Sequence, residues 1–239
     1  MADLRTIAAR DFSKVLSDTF VIVPAYNEAR VIGDVIKNVS RVFPHVIVVD
    51  DGSSDDTSAV LRGLPVTVAK HHVNLGQGAA LQTGITFALE QGADYIVTFD
   101  ADGQHRVEDA LAALRMLSED ECDVVCGSRF LGTTSNIPRM RKVILKTAVH
   151  FANLTTGSRM TDVHNGLRAL SRKAASCLEI SKSGMAHASE IIGQLMQHKM
   201  IIREIPVQFY YTEYSLAKGQ SSLNFINILV DLVIGRFVK

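Results

Sequence analysis

Two aspartates separated by one small residue carry the plainest chemistry in this 239-residue chain. They are Asp100 and Asp102, in the run Asp94-Tyr-Ile-Val-Thr-Phe-Asp-Ala-Asp-Gly-Gln-His105. Tyr95 to Phe99 is apolar and β-prone, so the pair falls at the end of a short buried strand, and Gly103 lets the chain turn away. Residues i and i+2 of a strand point to one side. Two carboxylates on one side offer oxygen ligands to a hard divalent cation, Mg²⁺ or Mn²⁺, which keeps other positions open for phosphate oxygens. Gln104 and His105 follow at once and can complete or border such a site. Taken alone, an Asp-x-Asp run is equally a solvated acidic turn, and the rest of the chain must decide between the two.

The elements that would position this pair are legible from periodicity. Phe20–Pro24, Val46–Asp50, Val66–Ala69, Tyr95–Phe99 and Val124–Cys126 are short β-branched or apolar runs. Helical patterns alternate with them. One places Val31, Ile32, Val35, Ile36 and Val39 on one face, one runs from the Gly-rich turn Asn74-Leu-Gly-Gln-Gly78 to about Gln91, and one covers Val107 to Leu117. This rhythm predicts a mostly parallel, doubly wound sheet, in which ligands bind outside the carboxyl ends of the strands. Glu28, Asp51, Asp102 and Arg129 all fall there. The second half changes character. It holds a helix over 137 to 156 with a basic start, a polar turn from Thr161 to Arg168 and a short helix near Lys173 to Leu178. Beyond these come a helix over Ala186–Gln197 carrying His187 and Glu190, and a strand-like run Ile201–Tyr211 interrupted by Pro206. A polar loop with Lys218 and an apolar segment, Leu223–Val238, close the chain.

Composition removes several classes of function. Lys plus Arg (25) equals Asp plus Glu (25), so no global field draws the chain to nucleic acid. The three cysteines, Cys122, Cys126 and Cys177, form no Cys-x-x-Cys pair and read as buried thiols, which fits a reducing, cytoplasmic setting. No apolar run reaches the ~18 residues of a membrane span. Asp231 interrupts the last segment, whose thin polar stripe suits core packing, a homodimer face or peripheral contact with a bilayer surface.

Several motifs in order give a resemblance. They are Val-Pro-Ala-Tyr-Asn-Glu (23 to 28), Val-Asp-Asp-Gly-Ser-Ser-Asp-Asp-Thr (49 to 57), Asn-Leu-Gly-Gln-Gly (74 to 78), Asp-Ala-Asp-Gly-Gln-His (100 to 105), Gly-Ser-Arg (127 to 129) and Asp-Val-His-Asn-Gly-Leu-Arg (162 to 168). Together they make the chain resemble a family 2 glycosyltransferase of GT-A fold, in the branch of dolichyl- or polyprenyl-phosphate sugar synthases and related bacterial polysaccharide enzymes. The resemblance implies an α/β, Rossmann-like, mostly parallel central sheet flanked by helices, with a C-terminal acceptor-side extension. It implies a single domain over 1–239, with a nucleotide-sugar half (1–130) and an acceptor half (131–239). The donor, a UDP- or GDP-sugar, would meet Pro24, Tyr26, Glu28, Asp51, Gly76, Gly78, Asp100 and Lys218. Asp100, Asp102 and Gln104 would hold the cation. Arg129, with Lys218, would stabilise charge growing on the leaving diphosphate.

The acceptor stays open between a glycan or glycolipid hydroxyl and a polyprenyl phosphate. A hydroxyl needs a general base, for which Glu190 is the candidate, whereas a phosphate needs none. The phosphate-acceptor branch tends to carry a serine four residues after an arginine in the helix beyond Gly-Ser-Arg. Here Leu145 follows Arg141 at that spacing and Val143 follows Arg139. That departure points to the hydroxyl. A lipid acceptor would bring the chain to the cytoplasmic face of a membrane. A dinucleotide-binding oxidoreductase is a rival class, yet Leu81 stands where its third glycine belongs. A non-catalytic binding module is the other rival, and the intact acids speak against it.

Overall fold

The computed structural model describes residues 12–131, 139–182 and 186–208. Lys218 and the apolar segment Leu223–Val238 lie outside them. The chain runs α1 (Phe12–Ser17), β1 (Thr19–Ala25), α2 (Ile32–Ser40), β2 (His45–Asp50), α3 (Thr57–Leu61), β3 (Thr67–Lys70), α4 (Gln77–Glu90), β4 (Tyr95–Thr98), α5 (Val107–Glu119), β5 (Val124–Ser128), α6 (Arg139–Thr156), β6 (Arg168–Ser171), α7 (Arg172–Ala175), α8 (Ala186–Gln197) and β7 (Ile202–Pro206). Among the described residues the strands form one seven-stranded sheet in the order β3-β2-β1-β4-β6-β5-β7. All pairings are parallel except those of β6, which runs antiparallel to both β4 and β5. No helix among the described residues is long and apolar enough to cross a membrane.

The central strands are buried on both faces, which is why β1 and β2 read as unbroken apolar runs. Alternation sends Val21, Val23, Val46 and Val48 to one face, under Ile32, Ile36 and Val39 of α2 and Leu114 of α5. Ile22, Ile47 and Val49 face the other way, under Leu81 and Ile85 of α4. Ile191, Ile192 and Leu195 of α8 join the same second core. The central strands and the helices between them stand where periodicity placed them, to within a few residues.

Two elements escape that reading. The six-residue α1 buries only Val15. β6 is Arg-Ala-Leu-Ser, with no β-branched residue and a charge at its start. Its neighbours impose its conformation: Tyr95 pairs with Ser171 and Thr98 with Arg168 on one side, and Val124 with Leu170 on the other. Arg168 is 2% exposed, a burial that no hydropathy pattern would anticipate.

One contact tests the packing of α4 on β1. A methyl group at Gly84 would overlap the Ile22 side chain, itself fully buried. Alanine gains about 1 kcal/mol of helix propensity over glycine, while overpacking a core costs about 1–3 kcal/mol. Gly84→Ala is therefore expected to lower the urea midpoint of unfolding. A raised midpoint would show that Ile22 yields without cost.

Candidate active site

The carboxyl ends of β1, β2 and β4 lie side by side, and their loops are stitched together by short polar side chains. Asp51 N–H donates to the Ala25 carbonyl at 2.8 Å. Asn27 adopts a left-handed conformation (φ 54°), which its short side chain tolerates. From there its backbone N–H donates to Ser53 Oγ at 2.9 Å, and its Oδ1 accepts from Ser54 N–H at 2.9 Å and Asp55 N–H at 3.3 Å. Glu28 N–H donates to Thr57 Oγ1 at 2.8 Å. The loops after β1 and β2 thus behave as one wall.

That wall and the end of β4 enclose a cleft of about 220 Å³ lined by Pro24, Tyr26, Glu28, Asp51, Asp100 and Asp102. The structure thereby gathers most of the residues expected to meet a nucleotide sugar. Gln77 joins them. Its position inside Asn-Leu-Gly-Gln-Gly is the one signal its local sequence carries. Gly76 has φ 95° at the start of α4, a conformation that favours glycine. Gly78 serves packing: a side chain there would strike the Lys182 carbonyl and His187.

Asp51 is 2% exposed and holds the loop before α4. It accepts from His71 Nδ1 at 2.7 Å, from Leu75 N–H at 2.9 Å and from Gly76 N–H at 2.8 Å. His71 was not singled out by sequence reasoning. Behind it, Asp50 accepts from Ser53 N–H at 2.9 Å and from the Ser58 hydroxyl. Burial alone would raise the Asp50 pKa, but the Ser53 and Ser58 hydrogen bonds and the Lys70 charge hold it below its ordinary value.

The two acids at the end of β4 differ. Asp100 accepts from Gln77 Nε2 at 3.2 Å and from His105 Nε2 at 2.9 Å. Gly166, in the turn before β6, lies against it so closely that any side chain there would overlap the carboxylate. Burial disfavours the Asp100 charge, but His105, Arg168 and His187 outweigh it and lower the pKa. Asp102 is raised to about 6, first by burial and then by the Asp100 charge, against the Gln104 backbone N–H it accepts at 3.0 Å. A divalent cation would relieve that repulsion. Among the described residues no three or more His, Cys, Asp or Glu side chains form a metal cage. Two carboxylates suit Mg²⁺ or Mn²⁺, which fill their remaining positions with water and substrate phosphate. Gln104 is buried and does not line the cleft.

The remaining candidates stand further back. Arg129 follows β5 and forks onto Asp162, with Nε to Oδ2 at 2.7 Å and Nη2 to Oδ1 at 2.8 Å, both side chains nearly buried. Asp162 therefore pairs with Arg129, while Arg168 donates Nη2 to the Val163 carbonyl at 3.0 Å. Such a buried fork is geometrically specific. It braces the 161–168 turn that presents Gly166 to Asp100. Glu190, on α8, accepts from Ser181 Oγ at 2.7 Å, Ser181 N–H at 3.1 Å and Lys182 N–H at 2.9 Å. It clamps that segment and is not among the cleft-lining residues.

Two outcomes follow from this geometry. Asp102 has a folded pKa of about 6 against an ordinary 3.8, so its contribution to stability is full below the unfolded value and is lost as pH rises through about 6. Metal-free Asp102→Asn has no such term, so its melting temperature should gain on the wild type between pH 4 and 7; a pH-independent difference would contradict the charge repulsion. Gly166→Ala should push the Asp100 carboxylate aside and weaken Mn²⁺ binding about tenfold, the scale of a lost supporting contact at a metal site. Unchanged affinity by calorimetry would mean that Asp100 does not hold the ion.

Comparison with known proteins agrees with the fold. The profile of glycosyl transferase family 2 matches residues 20–179. The UDP-N-acetylglucosamine–dolichyl-phosphate N-acetylglucosaminyltransferase of Methanococcus voltae is 32% identical over 242 residues, covering 92% of this chain and 96% of that protein. The polyprenol monophosphomannose synthase of Mycolicibacterium smegmatis is 30% identical over 217 residues, covering 85% and 82%. In fold, the chain is similar to the glucosyl-3-phosphoglycerate synthase of Mycobacterium tuberculosis, with a TM-score of 0.68 at 18% identity over 92% of this chain and 82% of that one. With a profile match that takes in β1 through β6 and relatives aligned over most of their length, the chain belongs to glycosyl transferase family 2.

Proposed function

We propose that this glycosyltransferase moves a sugar from a nucleoside diphosphate sugar to the phosphate of a polyprenyl-type lipid, with Mg²⁺ or Mn²⁺ at Asp100 and Asp102. The observation that carries the choice of acceptor is the state of Glu190. Its carboxylate is taken up by Ser181 and Lys182, so the group best placed by sequence to act as a base is a structural clamp. An acceptor that is already an anion needs no base. The named relatives support the same reading, since one is a dolichyl-phosphate and the other a polyprenol monophosphate enzyme by name. The synthase of similar fold has been crystallised with Mn²⁺ and UDP.

In this reading the cleft holds the donor, with its base toward Asp51 and its diphosphate toward Asp100 and Asp102. A bound cation supplies charge neutralisation for the departing nucleoside diphosphate. A lipid phosphate oxygen bonds to the anomeric carbon as the bond to the donor's β-phosphate oxygen breaks, and that oxygen keeps the electron pair. No proton moves. Inversion at the anomeric carbon is what the family implies. Gln77 and His105 hold Asp100 in place through both of its oxygens. Arg129, through Asp162, fixes the turn behind it. The exposed face of α6, with Lys142, Val143, Lys146 and Leu154, offers charge and apolar surface to an anionic bilayer at the cytoplasmic side.

The test is a transfer assay with a panel of UDP- and GDP-sugars and Mn²⁺, with the lipid presented in anionic vesicles. Sugar should pass to polyprenyl phosphate and not to polyprenol, and the chain should sediment with the vesicles at low salt. Glu190→Gln should keep transfer within about tenfold, whereas losing a general base costs about 10²–10⁴-fold. Transfer to hydroxyl acceptors, abolished in that variant, would overturn the lipid-phosphate reading.

A further inference from the structure

We infer that His71, seated on Thr83, presets the Asp51 carboxylate to read a base with one isolated N–H, a uracil-type imide, in preference to the two-donor edge of guanine. The inference rests on the reading that Asp51 takes the base of the donor.

An ionised carboxylate only accepts, with about four lone-pair positions. In Asp51, Oδ1 accepts from His71 Nδ1 at 2.7 Å and from Leu75 N–H at 2.9 Å, and Oδ2 accepts from Gly76 N–H at 2.8 Å. Among the described residues both positions of Oδ1 are filled, and one position of Oδ2 is left. Asp51 lines the cleft, so that one position is what it can offer a ligand. Uracil and thymine carry a single N3–H between two carbonyls, and one acceptor satisfies it. Guanine presents N1–H and N2–H side by side and asks for an acceptor on each oxygen. Cytosine carries its donor on the exocyclic N4, beside an N3 acceptor that a carboxylate repels, so it meets that position less well than an imide does.

His71 decides this count without touching the cleft. Because Asp51 cannot donate, His71 Nδ1 must carry the hydrogen. Nε2 lies 3.0 Å from Thr83 Oγ1, and a hydroxyl both donates and accepts, so it meets either state of that nitrogen. The ring follows β3, its backbone N–H is held by the Asp50 carbonyl at 2.9 Å, and Thr83 belongs to α4. The imidazole is therefore fixed from both ends, and with it the rotation of the carboxylate. Removing the ring empties one position on Oδ1 and frees the group to turn a second acceptor toward the cleft. His71 is a positioning residue in this scheme. It acts on base selection through Asp51, as an outer partner orients a ligating group.

The experiment is calorimetric titration of the full chain, with Mn²⁺, by UDP, dTDP, GDP and CDP. UDP and dTDP should bind about tenfold or more tightly than GDP and CDP, the effect of one unmatched buried hydrogen-bonding group. His71→Ala should weaken UDP about tenfold while moving GDP less, so that the ratio between them collapses. His71→Asn, whose side-chain N–H can take the place of Nδ1–H, should restore most of the ratio. A merely structural role would lower both affinities together and leave the ratio intact. If Asp51→Ala binds UDP as the wild type does, Asp51 does not read the base and the reading beneath this one falls. If Asp51→Ala weakens UDP but His71→Ala leaves the ratio unchanged, or if the wild type takes GDP as tightly as UDP, the inference about His71 falls and the Asp51 reading stands. Should His71→Ala not fold, the wild-type ratio decides alone.

Discussion

Mutual repulsion among carboxylates at one edge of the sheet is the constraint that the rest of the site answers. Glu28, Asp51, Asp100 and Asp102 line a single small cleft. Like charges so close are not all kept ionised without specific partners. The fold supplies a different partner to each of the three aspartates. Asp51 is held by two backbone N–H groups and a histidine. Asp100 keeps its charge through His105 and the buried cation of Arg168. Asp102 receives one N–H and is left with the excess repulsion. A cation bound there would relieve part of that repulsion.

The polar framework around the cleft comes from both halves of the chain. The 161–168 turn brings Gly166 against Asp100, and three separate elements hold the turn. Arg129, after β5, grips Asp162. Glu204, on β7, accepts from the Asp162 backbone N–H at 3.1 Å and from Thr161 N–H at 2.9 Å. Asn153, on α6, accepts from Met160 N–H at 3.0 Å. The Arg129–Asp162 pair is buried and the Glu204 carboxylate half-buried, each with its hydrogen bonds met, the condition for tolerating charge inside a protein. A residue such as Arg129 can thus matter for the chemistry while its own donors are committed to another side chain.

How far the sequence spoke depended on the range of the interaction. The parallel strands, the helices between them and the acidic strand ends follow from local hydropathy and turn chemistry, and the structure has them where those rules put them. β6 was invisible because its conformation comes from pairing with β4 and β5, residues distant in sequence, and its buried Arg168 runs against hydropathy. The cleft itself was legible through Pro24, Tyr26, Glu28, Asp51, Asp100 and Asp102, each at a strand end. The partners of these acids were not. Gln77, His71 and Gly166 act through contacts across the sheet, and nothing in their local sequence says which carboxylate they meet. The pairing of Asp162 with Arg129 is a contact of the same kind.

The reversed direction of β6 has a consequence for how the chain reaches its native state. β5 does not touch β4; it joins the sheet through β6 and β7. A nascent chain that has emerged only through Ser128 can pair β3, β2, β1 and β4, but its β4 has an open edge and its β5 has no neighbour. An uncovered strand edge is a template for association with other chains. The sheet closes only when residues 168–171 arrive, after the whole of α6 has been made. Closure over so long a loop is the slow kind of contact to form. The strand that fills the gap between β4 and β5 is therefore also the one that covers the open edge of β4 during synthesis, so a ribosome pausing within α6 would prolong that edge's exposure.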